Sequence, residues 1–200
     1  LFVQPKTNNQ INISGGTLTN MSAYASGINI NDNEVLYDYL GRIKDVTVDC
    51  GSVFNGMEVH GRSGLNSFIL ENNTVHNGFT WGLLVADCNY THCIHNSIDG
   101  EEFDRDGIRY FYSTDYTTDY NFIETVDLGI ISQYSPRGFH KCNQISQIGF
   151  DQGFGYGFAF IGPQHGINLM FNYNNDNVIG MFSHLDNSNL PMSTQVNKSN

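Results

Sequence analysis

The stretch that decides the fold is SFILENNTVHNGFTWGLLVADC, residues 67–88. Its β-branched and aromatic residues stop at the pair Asn72 and Asn73, restart at Val75, pass a glycine at Gly82 and become apolar again. Strands are rich in such apolar residues, whereas asparagine and glycine favour the backbone conformations of turns. The stretch therefore predicts short strands joined by tight turns.

Similar stretches recur along the chain, and each contains a glycine followed by alternating apolar residues. These glycines are Gly27, Gly56, Gly82, Gly107, Gly129, Gly157 and Gly180. Their spacings are 29, 26, 25, 22, 28 and 23 residues. A period of this length with several strands per unit is typical of a solenoid.

A second column, of asparagines, supports the same period. A frame of Asn-x-apolar-x-x-apolar begins at Asn121, Asn143 and Asn168, and looser versions begin at Asn66 and Asn89. Asparagines at equivalent turns can hydrogen-bond to the coils above and below them. We therefore interpret the asparagines as turn residues and the glycines as corners before the next strands.

The composition favours strands over helices. The 200 residues include four alanines, 21 glycines and 25 asparagines. A helical solenoid would need alanine and leucine at helical spacing, and a leucine-rich repeat would need its leucine frame. We predict an all-β fold, a parallel β-helix of about seven coils over residues 18–185. Residues 1–17 are predicted to be an N-terminal cap or linker and residues 186–200 a polar C-terminal tail or cut end.

The glycine column, with ENNTV at 71–75 and HNSI at 95–98, resembles the right-handed parallel β-helix of pectate-lyase-like proteins and phage tailspikes. The resemblance covers roughly residues 18–185. It implies a right-handed solenoid and, as in tailspikes, self-association into a homotrimer on an extracellular or virion surface. That fold hosts lyases, hydrolases, epimerases, adhesins and inert shafts, so the resemblance indicates architecture rather than one reaction.

The catalytic motifs of individual families with that fold are mostly missing. GRIK at 41–44 is similar to the Arg-Ile-Lys of polygalacturonases, but their Asn-Thr-Asp, Asp-Asp and Gly-His-Gly motifs are absent. The Arg-x-Pro-x-x-Arg of pectate lyases and the Asp-Pro-His of alginate epimerases are absent too. Neither a Gly-x-Ser-x-Gly elbow nor a phosphate-binding glycine loop occurs, so serine-nucleophile chemistry and nucleotide binding are not expected.

Charge and hydropathy exclude several classes of partner. Nine basic residues against twenty acidic ones give a net charge of −11, so we expect no nucleic-acid binding. We see neither a signal peptide nor an apolar run of about 18 residues, so no membrane span is expected. The chain begins at Leu1 rather than methionine, which suggests a processed product or a fragment of something larger.

The sequence contains four cysteines, which are predicted to be small buried residues: Cys50, Cys88, Cys93 and Cys142. A disulfide bond between Cys88 and Cys93 is left open.

Acidic residues crowd the segment from Asp99 to Asp127 on both sides of Gly107. Loops that project from a β-helix wall form clefts, and glycoside hydrolysis needs two carboxyl groups. The predicted catalytic pair is Glu102 and Asp106, with Glu101, Asp104 and Asp119 as further candidates. The alternative is that these acidic loops only keep a glycine-rich rod soluble.

Aromatic residues near the same loops could stack on sugar rings. The predicted substrate-binding residues are Trp81, Arg109, Tyr112, Tyr116 and Tyr134, with Tyr110 and Tyr120 as further stacking candidates. A calcium-dependent lyase would instead use clustered carboxylates as ligands and Arg109 as base, but EEFDRDG at 101–107 lacks the full spacing of an EF-hand loop. We predict no metal or other cofactor, and Ca²⁺ is the alternative left open.

Strand alternation assigns the residues after each glycine to two faces. The first and third should point inward and the second and fourth outward. The outward set includes Leu84, Phe111, Ile131, Ile161 and Phe182, which is too apolar for a freely solvated face. We therefore predict a trimer interface there. The alternative is that a loop or flanking segment covers this face.

The leading hypothesis is a tailspike-type β-helix that binds a surface polysaccharide, and whether it also cleaves that polysaccharide as a glycoside hydrolase is left open. The first alternative is a structural or adhesive shaft without catalysis. The second is a secreted polysaccharide lyase that acts as a monomer. Self-association and release of sugar ends distinguish the three.

Overall fold

The structure is a computed structural model that describes residues 1–4, 10–19, 26–31, 40–51, 55–61, 67–77, 80–100, 106–146, 148, 155–162, 166–170, 172–175, 179–184 and 193–194. Within these residues the chain forms three sheets, and all the strand pairs between neighbouring coils are parallel. The predicted parallel β-helix is therefore confirmed.

Among the described residues, the first seven coils contribute one strand to each sheet and the last contributes strands to sheets A and B; the strands are numbered here in chain order. Sheet A consists of β1 (Phe2–Val3), β4 (Ser26–Asn31), β7 (Asn55–His60), β10 (Trp81–Ala86), β13 (Asp106–Phe111), β16 (Leu128–Gln133), β19 (Tyr156–Ile161) and β22 (Ile179–His184). Sheet B consists of β2 (Ile11–Ser14), β5 (Leu40–Lys44), β8 (Ser67–Glu71), β11 (His92–Ile94), β14 (Thr117–Asp119), β17 (Phe139–Lys141), β20 (Asn168–Met170) and β23 (Ser193–Thr194). Sheet C consists of β3 (Thr17–Leu18), β6 (Thr47–Asp49), β9 (Thr74–His76), β12 (Ser97–Asp99), β15 (Phe122–Glu124), β18 (Gln144–Ser146) and β21 (Tyr173–Asn175).

The solenoid extends into both terminal segments that the sequence pattern placed outside it. Strands β1 and β2 lie within residues 1–17 and pair with β4 and β5. Strand β23 lies within residues 186–200 and pairs with β20. These strands have only two to four residues, too few to show the alternating pattern from which the coils were predicted.

The core fills the space between the three sheets. The predicted inward positions of sheet A are confirmed, because the side chains concerned are at most 1% exposed. They are Ile28, Ile30, Met57, Val59, Leu83, Val85, Ile108, Tyr110, Ile130, Phe158 and Phe160. Met181 was predicted to join them but is 37% exposed. It lies in β22, the last strand of sheet A among the described residues, which pairs there with β19 alone.

The glycine of each coil is the second residue of its sheet A strand, so the interpretation as a corner before the strand is wrong. A Cβ atom on Gly129 would lie 2.5 Å from the carbonyl oxygen of Gly157 and 2.7 Å from Cγ2 of Ile145. Real Cβ atoms do not approach backbone this closely. The backbone of the next coil and the side chains of sheet C leave no room for a side chain at this position, which explains why the column consists of glycines.

Buried asparagines stack at the turn between sheets B and C. Asn73, Asn96, Asn121 and Asn143 each follow a residue in the left-handed conformation, as Asn73 follows Asn72 with φ 53°. The Asn121 Oδ1 accepts hydrogen bonds from the backbone and side-chain nitrogens of Asn96, both at 2.9 Å, and its Nδ2 donates to the Cys93 carbonyl at 2.9 Å. The ladder contains Asn73, Asn96, Asn121, Asn143 and Asn172.

Two members of the asparagine frame read from the sequence do not belong to this ladder. Asn168 lies inside β20, and its coil contributes Asn172 instead. Asn89 lies at a bridge to Thr114 between sheets A and B, and Asn66 lies outside the described residues. The frame depends on spacing along the chain, whereas membership of the ladder depends on which asparagine hydrogen-bonds to the asparagine of the next coil.

The four cysteines are free, and Cys50, Cys88 and Cys93 are buried as predicted. Cys142 is only partly buried. In the part of the chain that the structure describes, we find no helix with the length and hydrophobicity needed to cross a membrane.

Candidate active site on sheet A

The predicted catalytic residues fall on different parts of the solenoid. Asp106 begins β13 on sheet A, whereas Asp119 ends β14 on sheet B. The structure does not bring these two carboxyl groups together on one sheet. Glu101, Glu102 and Asp104 lie outside the described residues.

Asp106 is held in a group of polar and aromatic side chains on the outward side of sheet A. The Arg109 Nη1 donates to Asp106 Oδ2 at 2.9 Å, and its Nη2 donates to Gln133 Oε1 at 2.5 Å. The guanidinium also lies 5.4 Å from the centre of the Trp81 ring, within the range of a cation–π contact. The predicted substrate-binding residues Trp81 and Arg109 therefore lie next to the predicted catalytic residue Asp106.

The carboxyl group of Asp106 is protonated more easily than an ordinary aspartate. Burial raises its pKa from 3.8 to about 7, and only 8% of the residue is exposed. The Arg109 charge and the Trp81 hydrogen bond oppose this shift, while the charge of Asp127 adds to it. The group can therefore carry a proton near neutral pH and still lie beside a cation.

Asp127 is the second carboxyl group of the site. It directly precedes β16, whose first residue Leu128 pairs with Asp106, and it is 7% exposed. Asp127 lies at the end of the acidic segment recognised in the sequence but is not among the predicted catalytic residues. The glycine column contains the missing signal, because Gly107 and Gly129 align Asp106 with the residue that follows Asp127.

Glu58 forms a further charged group on sheet A, and it too is absent from the site residues predicted from the sequence. Its Oε2 accepts hydrogen bonds from Ser26 Oγ at 2.6 Å, Asn55 Nδ2 at 2.8 Å and Asn29 Nδ2 at 3.0 Å, and its Oε1 contacts His60 Nε2. Burial opposes ionisation, but the bonds from His60, Ser26 and Asn55 together lower its pKa to about 2. Glu58 is thus a fixed anion on the far side of Trp81 from Asp106.

Tyr116 is in the core, so its assignment as a substrate-binding residue is wrong. It is fully buried, stacks on Tyr110 with ring centres 4.0 Å apart, and donates to Ser132 Oγ at 2.6 Å. Asp115, the residue before it, is in the left-handed conformation with φ 53° and turns the chain there. Composition alone could not distinguish an inward tyrosine from an outward one. Tyr110 is likewise a core residue.

Tyr112 and Tyr134 form a stacked pair where the chain leaves sheet A. Their ring centres are 5.0 Å apart with an interplanar angle of 10°. The backbone of Gly162 lies against the Tyr134 ring, since a Cβ there would come within 2.5 Å of two ring carbons. Tyr112 is 51% exposed, so it is the member of the pair that can contact a ligand.

The apolar outward positions of sheet A are partly covered by the chain itself. Leu84 is 5% and Ile131 only 1% exposed in the single chain, whereas Phe111 and Ile161 are half-buried. The side chain of Phe182 lies outside the described part of the structure. The burial of Leu84 and Ile131 agrees with the alternative that a segment of the chain covers this face.

Among the described residues, no group of three or more His, Cys, Asp or Glu side chains is placed to hold a metal ion. No known protein family matches this chain, and neither a curated protein nor a solved structure is significantly similar to it. The function of the chain must therefore be inferred from the geometry and chemistry of the site.

Proposed function

We propose that this β-helix binds a polysaccharide along the outward side of sheet A and hydrolyses a glycosidic bond beside Trp81. The observation that supports this most is Asp106, a buried carboxyl group with a pKa raised to about 7 that adjoins a second buried carboxyl group, Asp127. Pairs of carboxyl groups in which one retains its proton near neutral pH are typical of glycosidases.

In this proposal Asp106 is the general acid. It donates its proton to the glycosidic oxygen as the bond to the sugar carbon breaks, and the Asp127 carboxylate attacks that carbon to form a glycosyl ester. Water then hydrolyses the ester, and Asp106 takes the proton of that water. Asp106 begins β13, and Asp127 directly precedes the neighbouring strand β16, about 4.8 Å away. Residues on adjacent coils can supply the carboxyl spacing of about 5–5.5 Å that a retaining enzyme needs.

Binding is assigned to the aromatic and polar residues around this pair. Trp81 lies between the Glu58 network and Asp106, and Tyr112 lies at the other end of β13 with an exposed ring. Aromatic rings stack on the apolar faces of sugars, while ionised or amide groups bond their hydroxyls. A polysaccharide lying across these coils would contact Trp81, Arg109 and Tyr112.

The test is a reducing-end assay on bacterial surface polysaccharides and on neutral and acidic glycans. We expect Asp106→Asn to lower turnover at least 100-fold, while the variant remains folded and its binding, measured by affinity electrophoresis, changes little. Asp119→Asn is the matched control, because Asp119 is a partly buried aspartate on another sheet. Wild-type turnover in Asp106→Asn, or equal losses in both variants, would refute the assignment.

The tailspike-type role, an extracellular or virion location and a homotrimer are part of the same proposal. The half-buried outward residues Phe111 and Ile161 are the side chains available for such an interface. Ile161→Asp should convert a trimer into monomers in sedimentation velocity, whereas Ile94→Asp, at a half-buried outward position of sheet B, should not. A wild-type chain that sediments as a monomer would contradict the trimer.

The alternatives give different results in the same two experiments. An assembly that binds a polysaccharide but releases no ends fits a structural or adhesive shaft. A monomer that releases unsaturated products fits a polysaccharide lyase.

A further inference from the structure

His140 is a buried histidine without a hydrogen-bond partner on either ring nitrogen. It is the middle residue of β17, is 0% exposed, and faces the interior of the solenoid. Neither Nδ1 nor Nε2 is hydrogen-bonded. A neutral imidazole has one donor and one acceptor nitrogen, and buried polar atoms of this kind are satisfied in most proteins. The ring is therefore held in the core by packing alone.

Aromatic rings surround this imidazole. Tyr116, Phe158, Phe160 and Tyr110 have ring centres 5.6, 5.7, 5.9 and 6.4 Å from that of His140. This cage brings no charge toward the imidazole.

The titratable groups facing the ring are the hydroxyls of Tyr110 and Tyr116, and both are engaged elsewhere. Tyr110 shares a hydrogen bond with Thr118 Oγ1 at 2.8 Å, and Tyr116 donates to Ser132 Oγ at 2.6 Å. On β17 itself, Lys141 lies on the outer side, 5.8 Å from the Tyr120 ring. Burial is the one cause that moves the pKa of His140, which it lowers to about 3. Among the described residues, no neighbouring carboxylate compensates a charge on the ring.

We propose that His140 makes the β17 region of the solenoid acid-labile, because a protonated imidazole must leave the aromatic cage to reach water. A charge without a partner in an apolar interior is far less stable than a hydrated one. Opening the coil at β17 would break its pairing with β14 and β20 and expose the core. This sensitivity to acid does not depend on the binding of a polysaccharide.

The direction with pH follows from the two states of the histidine. In the unfolded chain the pKa takes its ordinary value of 6.5, and in the folded chain it is about 3. The unfolded state therefore binds the extra proton, and stability is lost as pH falls below 6.5. Between pH 7.5 and pH 5 this single group lowers the folding equilibrium constant about 30-fold.

Two carboxyl groups must be separated from this effect. Asp106 acts in the same pH range with the opposite sign, since its folded pKa is raised to about 7 and acid favours its folded form. Glu58 acts below its ordinary value of 4.5, outside the range. The effect of His140 is therefore a difference between variants measured at the same pH.

The experiment is urea unfolding of wild type and His140→Phe at pH 7.5 and pH 5. The ratio of wild-type to variant folding constants is expected to fall about 30-fold between the two values. His92→Gln is the matched control, because His92 is an exposed histidine of β11 on the same sheet. The folding constant of this variant should fall between pH 7.5 and pH 5 as much as that of wild type. The β17 and β20 amides of wild type should selectively lose protection at pH 5, measured as hydrogen-exchange rates corrected for the intrinsic pH dependence of exchange.

A direct measurement needs no variant. Imidazole carbon and nitrogen NMR shifts of wild type should show His140 neutral in the folded protein at pH 5. A ratio that does not change with pH, or a folded His140 that titrates near 6.5, would overturn the proposal. Failure of His140→Phe to fold leaves the NMR titration as the deciding result.

Discussion

At the scale of single residues, Asp106 combines a proposed catalytic role with a cost in stability. The folded pKa of about 7 exceeds the ordinary value of 3.8, so the folded state holds the proton more tightly than the unfolded chain. The stabilising effect of this proton is complete below pH 3.8 and is lost as pH rises through 7. Placing a carboxyl group where it destabilises the fold is common at active sites.

The stability of the Asp106→Asn variant relative to wild type should therefore increase as pH rises. Relative to wild type, its free energy of unfolding should increase between pH 4 and pH 8 by up to roughly 4 kcal/mol, at 1.36 kcal/mol per pKa unit. Urea unfolding at several pH values measures this. Asp115→Asn is an opposite control, because the Arg137 hydrogen bond lowers the pKa of Asp115 and its loss should cost more at high pH. A pH-independent difference for Asp106→Asn would contradict the buried-acid interpretation.

At the scale of elements, the asparagine ladder connects neighbouring coils at the turn between sheets B and C. Asn121 bonds to Asn96 on one side and Asn143 on the other. Asn121→Ala leaves buried backbone groups without partners, which costs about 1–3 kcal/mol for each such group. Chemical denaturation should show this loss, while Asn168→Ala, an exposed residue that sequence reasoning assigned to the same column, should change stability by less than about 0.5 kcal/mol. Equal effects would contradict the ladder.

The features that could be predicted are those that depend only on residues close together in the sequence. Side chains alternate along a strand, so positions such as Ile108 and Phe158 were assigned correctly to the core. Tyr116 was assigned wrongly, because its inward direction depends on the left-handed residue before it. Asp127 was not selected, because its proximity to Asp106 depends on the register between coils.

At the scale of the whole molecule, the outward side of sheet A changes character along the solenoid. The first coils carry the polar network around Glu58, and the later coils carry Leu84, Ile131 and Ala159, which are at most 5% exposed. Trp81 and Asp106 lie where the polar part meets the apolar part. The proposed site therefore occupies the part of this face that combines charge, an aromatic ring and burial, as ligand sites commonly do.

The most direct test of the central claim is the pH dependence of reducing-end release from a polysaccharide that the chain binds. If Asp106 is the acid, kcat/KM should fall about tenfold per pH unit above pH 7, as the group with a pKa of about 7 loses its proton. The same assay on Asp106→Asn should give almost no product. A bound polysaccharide that releases no ends at any pH, or a rate that stays constant from pH 6 to pH 9, would contradict the account.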